Sequence, residues 1–331
     1  MSRSRRLLTL AGKLAIAALL VGWLLRSGTL DFGALRLFLD RPELLAANLA
    51  VFSIGVTLGA LRWRLLLRLA DVRLSVGRAV QLQFAAMFFN VVIPGNIGGD
   101  VFKSVYVART AKPEMRPTVY LIALIDRLIA LAGLVVVAVV LILLRGSAAW
   151  ETGPLRELAG AVVALAAITL VAPIVLFAII RSSGERWTHV RIIGRLIAAL
   201  RLVAARPSRL VAALGLAIVV QATGMALFAA LATATATQDI SAPLVASLYP
   251  LGMLTVVIPI SYAGIGVGHV AFEQLFALVG LSGGATAFNL YLIGQTAPCL
   301  AGVLPFLTLR RAAPPPTEAE IAAQTAYDVP P

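Results

Sequence analysis

The chain has 331 residues, 60% of them hydrophobic and only 13% charged, about half the charge content of an ordinary soluble domain, which is roughly 25%. A soluble fold is therefore excluded, and the composition predicts an all-α, polytopic membrane protein. A single cysteine, Cys299, rules out an internal disulfide, and two histidines leave too little material for a histidine-based metal site; no metal or cofactor is expected. The net charge of +13 would suggest nucleic acid in a soluble protein. In a membrane chain it is a topology signal, and no nucleic-acid partner is expected.

The N-terminal "MSRSRRLLTLAGKLAIAALLVGWLLRSG" has a basic start and an apolar stretch from Leu7 to Leu25, without a small-residue cleavage site. It predicts an uncleaved first helix. In chain order, full spans are expected at residues 7–25, 44–61, 117–144, 158–180, 210–232 and 285–309, each near the roughly 20 residues needed to cross. Two further apolar segments, 79–93 and 244–260, end in Pro/Gly-rich breaks. The expected architecture is thus six full spans plus two broken segments. It forms one transmembrane domain over 1–311, with halves 1–150 and 151–311. The Pro-rich tail, 312–331, is disordered by composition.

Arginine and lysine concentrate at the N-terminus, in 62–78, 103–116 and 181–209, and at Arg310 and Arg311, 21 of the 28 in all. The complementary loops 26–43 and 145–156 hold five, and 233–243 holds none. The positive-inside rule then predicts that both termini are cytoplasmic. Within 181–209, Arg191 and Arg195 stand four apart, and Ile192, Leu196, Leu200 and Val203 form an apolar stripe. That segment reads either as a basic amphipathic helix on the leaflet surface or as a plain topology determinant.

One stretch breaks the membrane pattern: "NVVIPGNIGGDVFK", residues 90–103. Both its flanks are basic, and 79–102 is too short to cross twice. It should enter from the cytoplasm and return as a re-entrant hairpin. Broken backbone at membrane depth survives only where protein or a water-filled cavity satisfies its polar groups. A second copy of the signal, "VVIPISYAGIGVGHVAF", begins at Val256, 165 residues after Val91. The same offset carries 44–61 onto 209–226 and 117–144 onto 282–309. By charge, the matched segments run in opposite directions, which predicts an inverted repeat, the signature of transporters whose site lies between the halves. Segment 244–280 is either a second re-entrant hairpin or two short crossings.

Only Asp100, Asp126 and Glu273 are acids in apolar context. A charge at the centre of a span costs about 2.5–3.5 kcal/mol on insertion scales, so such residues face the protein interior and are paired. Arg127 is the matching cation. Because helix neighbours do not face each other, Asp126 and Arg127 need separate partners. Arg127 is expected to pair with Asp100 or Glu273, where a lipid phosphate could compete for its planar fork; the structural alternative is an ion pair that only pins the hairpin. Pro94 breaks the helix, and Gly95, Gly98 and Gly99 permit close approach and would aim amide groups at an anion. Gly264, Gly266 and Gly268, with Ser261 and His269, could do the same from the other half. Lys103 is expected at the head-group surface, and Asn90 and Gln295 are expected to line the cavity. Other buried amides such as Gln83 should bond between helices. No βαβ pattern surrounds the glycines, so a nucleotide loop is not indicated.

"LRWRLLLRL", then "FNVVIPGNIGGDVFKSVYVAR", a span opening on an Asp-Arg pair, and "VIPISYAGIGVGHVAFEQLFALVGL" together resemble the lysylphosphatidylglycerol synthase transmembrane-region family, the flippase-like membrane proteins. The resemblance covers nearly the whole chain up to the tail at 312. It implies an inner-membrane protein that moves a lipid or lipid-linked molecule between leaflets. Relatives in which this part is joined to a soluble domain transfer an amino acid from charged tRNA to lipid; that activity is not expected of the segment here. Relatives more often carry a charged residue where His269 stands. Three functions follow as expectations. The first is a lipid flippase binding anionic or lipid-linked head groups. The second is a non-catalytic partner of a lipid-modifying or glycosylating enzyme. The third is a membrane-embedded transferase, for which three scattered acids are thin equipment.

Overall fold

Helix starts in this chain are set by proline as much as by hydrophobicity. Pro42 and Pro207 each stand at the first position of a long helix, where the missing N–H costs nothing and the fixed φ already suits the helix. The residues before them, Arg41 (φ −132°, ψ 73°) and Arg206 (φ −128°, ψ 67°), share one backbone conformation and are 165 residues apart, the repeat offset. The computed structural model describes residues 32–92, 98–145, 153–182, 201, 205–236, 238–257 and 266–312.

The described residues form α1 (Phe32–Asp40), α2 (Pro42–Leu67), α3 (Val76–Val92), α4 (Gly98–Ala108), α5 (Arg116–Arg145), α6 (Gly153–Ser182), α7 (Pro207–Thr235), α8 (Ala242–Val257), α9 (Val267–Leu278), α10 (Gly284–Ala301) and α11 (Val303–Ala312). Four stretches, Pro42–Ala70, Pro113–Leu144, Pro207–Thr235 and Gly284–Leu309, are long and apolar enough to cross a membrane. They correspond to the expected spans 44–61, 117–144, 210–232 and 285–309. Span 158–180 falls within α6, a helix of 30 residues. Span 7–25, the surface segment 183–200 and the tail beyond Ala312 lie outside the described residues. The last span bends at Gly302, where a Cβ would stand 2.1 Å from the Phe84 carbonyl oxygen. Small residues thus let backbones meet where side chains would hold them apart.

The two halves repeat in packing as well as in order. The contact of α2 with α3 is matched by α7 with α8, α3 with α4 by α8 with α9, and α5 with α7 by α10 with α2. The pair α2 and α7 maps onto itself, and the two helices are antiparallel. The Arg206 guanidinium at the start of α7 donates to the Arg68 carbonyl just beyond the end of α2 at 3.5 Å. Midway along, a Cβ at Gly55 would lie 3.9 Å from Val220 Cγ1. Val220 is Gly55 advanced by the same 165 residues. Equivalent positions touching on antiparallel, equivalent helices is what a two-fold axis crossing the helices produces, so the repeat is inverted. In a Cys299→Ala background, cysteines placed by Gly55→Cys and Val220→Cys are expected to cross-link under mild oxidation. A pair shifted by one turn, Gly59→Cys with Val220→Cys, should not; a gel shift reads both.

Two apolar cores form, each centred on one half and completed by residues of the other. One gathers Trp63, Leu66, Leu67, Leu82, Val107, Val119 and Ile122. The other gathers Phe228, Leu231, Ala232, Leu248, Phe272, Phe276, Ala287 and Tyr291. Trp63, Leu66, Leu67 and Ile122 advance by 165 residues onto Phe228, Leu231, Ala232 and Ala287, and all eight are almost fully buried. The halves meet again at Asn48, which is fully buried on α2 and donates from Nδ2 to the Leu290 carbonyl at 3.0 Å. Gly294 makes the approach possible, because a Cβ there would lie 2.0 Å from the Asn48 side chain.

Candidate functional site

The helices flanking the proline break fold back on each other. Along α3 and α4, Gly99 meets Asn90, Phe102 stacks on Phe89 with ring centroids 4.5 Å apart, Lys103 reaches Gln83, and Tyr106 bonds to Arg78. Rising numbers on α4 meet falling numbers on α3, so the pair is an antiparallel hairpin with both outer ends on one side. Its tip closes on Gly99. The Gly99 N–H donates to Asn90 Oδ1 at 2.7 Å, and a Cβ there would stand 2.2 Å from the Ala86 carbonyl oxygen. Asn90 thus secures the tip, and this amide serves the protein rather than an outside anion. Gly98 is buried in the same first turn. Pro94 and Gly95 lie outside the described residues.

From this hairpin a chain of five charged side chains runs through the half. The Arg62 Nε of α2 donates to Asp126 Oδ1 of α5 at 2.7 Å. Lys103 Nζ lies 3.5 Å from Asp126 Oδ2, 3.0 Å from Asp100 Oδ1 and 3.3 Å from Gln83 Oε1. Arg127 Nε donates to Asp100 Oδ2. The order is Arg62, Asp126, Lys103, Asp100, Arg127, with cation and carboxylate alternating. Lys103 is only 1% exposed, and its ammonium also sits 5.0 Å from the Trp63 ring centre, a favourable cation–π distance. Three donors and no acceptor make an ammonium suited to join two carboxylates and an amide at once.

The adjacent pair on α5 divides as helix geometry requires. Asp126 turns inward and is 4% exposed. Arg127 points away, with its side chain 41% exposed, and forms the accessible end of the chain with Asp100. Of the two partners considered for Arg127, the structure provides Asp100. Glu273 is exposed and accepts the Ala285 N–H at 2.8 Å, capping the start of α10. Lys103, expected at the head-group surface, is instead the buried centre of the network, because Asp100, Asp126 and Gln83 together replace its hydration. Arg62 was legible only as one of five arginines in a basic loop. Its place inside the apolar run of α2, five residues before the helix end, was the available signal.

The second half places different chemistry in the same frame. His269 Nδ1 accepts the Gly266 N–H at 3.4 Å, and its ring meets Phe288 edge-on at 5.1 Å. Gly266 takes φ +82°, a left-handed value that favours glycine, and a Cβ at Gly268 would lie 2.4 Å from the Phe288 ring. Gln295 is half-buried on α10; Ser261 and Gly264 lie outside the described residues. At the positions matching Arg62, Trp63 and Asp126 stand Leu227, Phe228 and Tyr291; with Gly99 aligned on Gly268, across four extra residues in the second motif, Phe272 takes the place of Lys103. Phe272 packs on Phe228 at 4.5 Å as Lys103 does on Trp63. One half is therefore ionic and the other aromatic around one architecture.

Among the described residues no group of three histidines, cysteines or acids could hold a metal ion. No curated protein and no solved structure matches the chain. The family profile described as the lysylphosphatidylglycerol synthase TM region matches residues 10–300, a stretch containing both glycine-rich motifs and every member of the charge chain. This protein belongs to the lysylphosphatidylglycerol synthase transmembrane-region family.

Proposed function

We propose that this protein moves a phospholipid or lipid-linked molecule with an anionic head group between the leaflets of the inner membrane. Both termini are then cytoplasmic, and the α3–α4 hairpin is re-entrant. The observation that carries the reading is the alternating chain from Arg62 to Arg127, buried among apolar helices and reaching an accessible surface only at Arg127 and Asp100. A fold can bury an ion network merely to pin helices, but that purpose is met by Arg62, Asp126 and Lys103 alone. The Arg127–Asp100 end is where a head-group phosphate could exchange with the carboxylate, since the guanidinium fork fits either. Inverted halves meeting at Gly55 and Val220 supply the symmetry that alternating access uses. The aromatic half offers an apolar counterpart along which acyl chains could move.

The reading is tested in liposomes carrying fluorescent phosphatidylglycerol in both leaflets, with dithionite quenching the outer one. Wild-type protein is expected to bring the inner-leaflet signal out faster than in protein-free vesicles. Arg127→Gln and Asp100→Asn should return the rate toward that of empty vesicles while inserting normally. Wild-type exchange no faster than in empty vesicles overturns the proposal. Both variants at the wild-type rate would leave the ion chain a structural pin.

A further inference from the structure

A second concentration of cations lies away from the hairpin, where the end of α2 meets the start of α7. A cavity of about 570 Å³ is lined there by Arg64, Arg68, Asp71, Arg73, Leu74, Arg206 and Arg209. Five guanidinium groups face one carboxylate, and no ion pair within 4.0 Å joins Asp71 to any of them among the described residues. Like charges gathered around one space repel, and an anion between them relieves that repulsion.

Two details set this cavity apart from a basic rim that merely orients the protein. Arg64 is fixed by donating from Nε to the Leu74 carbonyl at 2.7 Å, so its remaining donors are held in place rather than swinging in solvent. The Arg209 Nη1 is buried without a hydrogen-bond partner among the described residues, and a buried donor left unpaired costs about 1–3 kcal/mol, more when charged. The inverted repeat also provides an internal control. At the opposite end of the α2–α7 pair, the matching positions of Arg64, Arg68 and Arg209 hold Ala229, Thr233 and Leu44. Gln238 matches Arg73, and only Arg41 matches an arginine, Arg206; the same helix junction closes with one arginine, so the fold does not require five.

We propose that this cavity binds a multiply charged phosphate group, a pyrophosphate or phosphomonoester. Planar guanidinium forks take phosphate oxygens in pairs, and an excess of four cations suits more than the single charge of a phosphodiester. The group could belong to a soluble ligand or to a lipid head group at the membrane surface, and this site is independent of the transport reading.

The test uses the full chain in nonionic detergent at about 0.15 M salt, where exposed charges are screened within roughly 8 Å. Two titrations are followed by thermophoresis: inorganic pyrophosphate, and dihexanoyl phosphatidic acid against dihexanoyl phosphatidylcholine. Arg68 and Arg73 are exposed, so Arg68→Gln/Arg73→Gln should fold as wild type, and an unchanged melting temperature checks this. Affinity is expected to fall about tenfold per arginine removed, and Arg209→Gln should weaken binding alone. Saturable pyrophosphate binding lost in these variants supports a soluble phosphate. Selective phosphatidic acid binding lost in them supports a lipid head group. No saturable binding of either, or equal affinity in all variants, overturns the proposal.

Discussion

Asp126→Asn is expected to destabilise this protein more than any other single change in the hairpin half. Asp126 joins Arg62 and Lys103, with side-chain exposures of 6%, 10% and 2%. The amide would leave two buried cations with Asp100 as their nearest counter-charge. Removing one partner of a buried pair costs about 3–5 kcal/mol, because the remaining charge has lost both water and its partner. A large drop in melting temperature in detergent is the expected readout. The double variant Arg62→Gln/Asp126→Asn should recover part of the loss, since one stranded cation is gone. If the double variant is as unstable as the sum of the two single changes, the coupling drawn here between α2 and α5 is wrong.

Gly99→Ala is the second large effect, and it acts through space rather than charge. The added methyl would stand 2.2 Å from the Ala86 carbonyl oxygen and 2.7 Å from Asn90 Oδ1, so α4 must move off α3. Overpacking of this kind costs about 1–3 kcal/mol. The shift would also carry Asp100 and Lys103 away from Arg127 and Asp126. Gly160→Ala in α6 is the control, with nothing within 4 Å of its added Cβ. It should be neutral or slightly stabilising, as alanine is the better helix former. Thermal unfolding of the two variants side by side decides the point; equal melting temperatures would contradict the close packing at the hairpin tip.

Much of this architecture was legible because a bilayer narrows the choices. Apolar length predicts spans, and α2, α5, α7 and the α10–α11 pair stand where those lengths predict. Proline and glycine mark the broken segments, and an offset of 165 residues relates the halves. The acids in apolar context, Asp100 and Asp126, were conspicuous for the same reason: charge is rare where water is absent. Lys103 and Arg62 were not, because each borders a basic loop and a cation there reads first as a topology signal. Nothing in a one-dimensional pattern says that the last turns of α2 and the middle of α4 converge on Asp126.

The amino-acid sequence by itself thus determined that the chain is membrane-embedded, helical, doubled and interrupted, since those properties follow from composition, span length and local backbone chemistry. Only the tertiary structure decided which charges neutralise one another. It placed Lys103 in the core, turned Glu273 aside to cap α10, and gathered five arginines around one cavity. Pairing depends on distances between residues far apart in the chain. Those distances are set by how helices pack at glycines such as Gly55, Gly99 and Gly294.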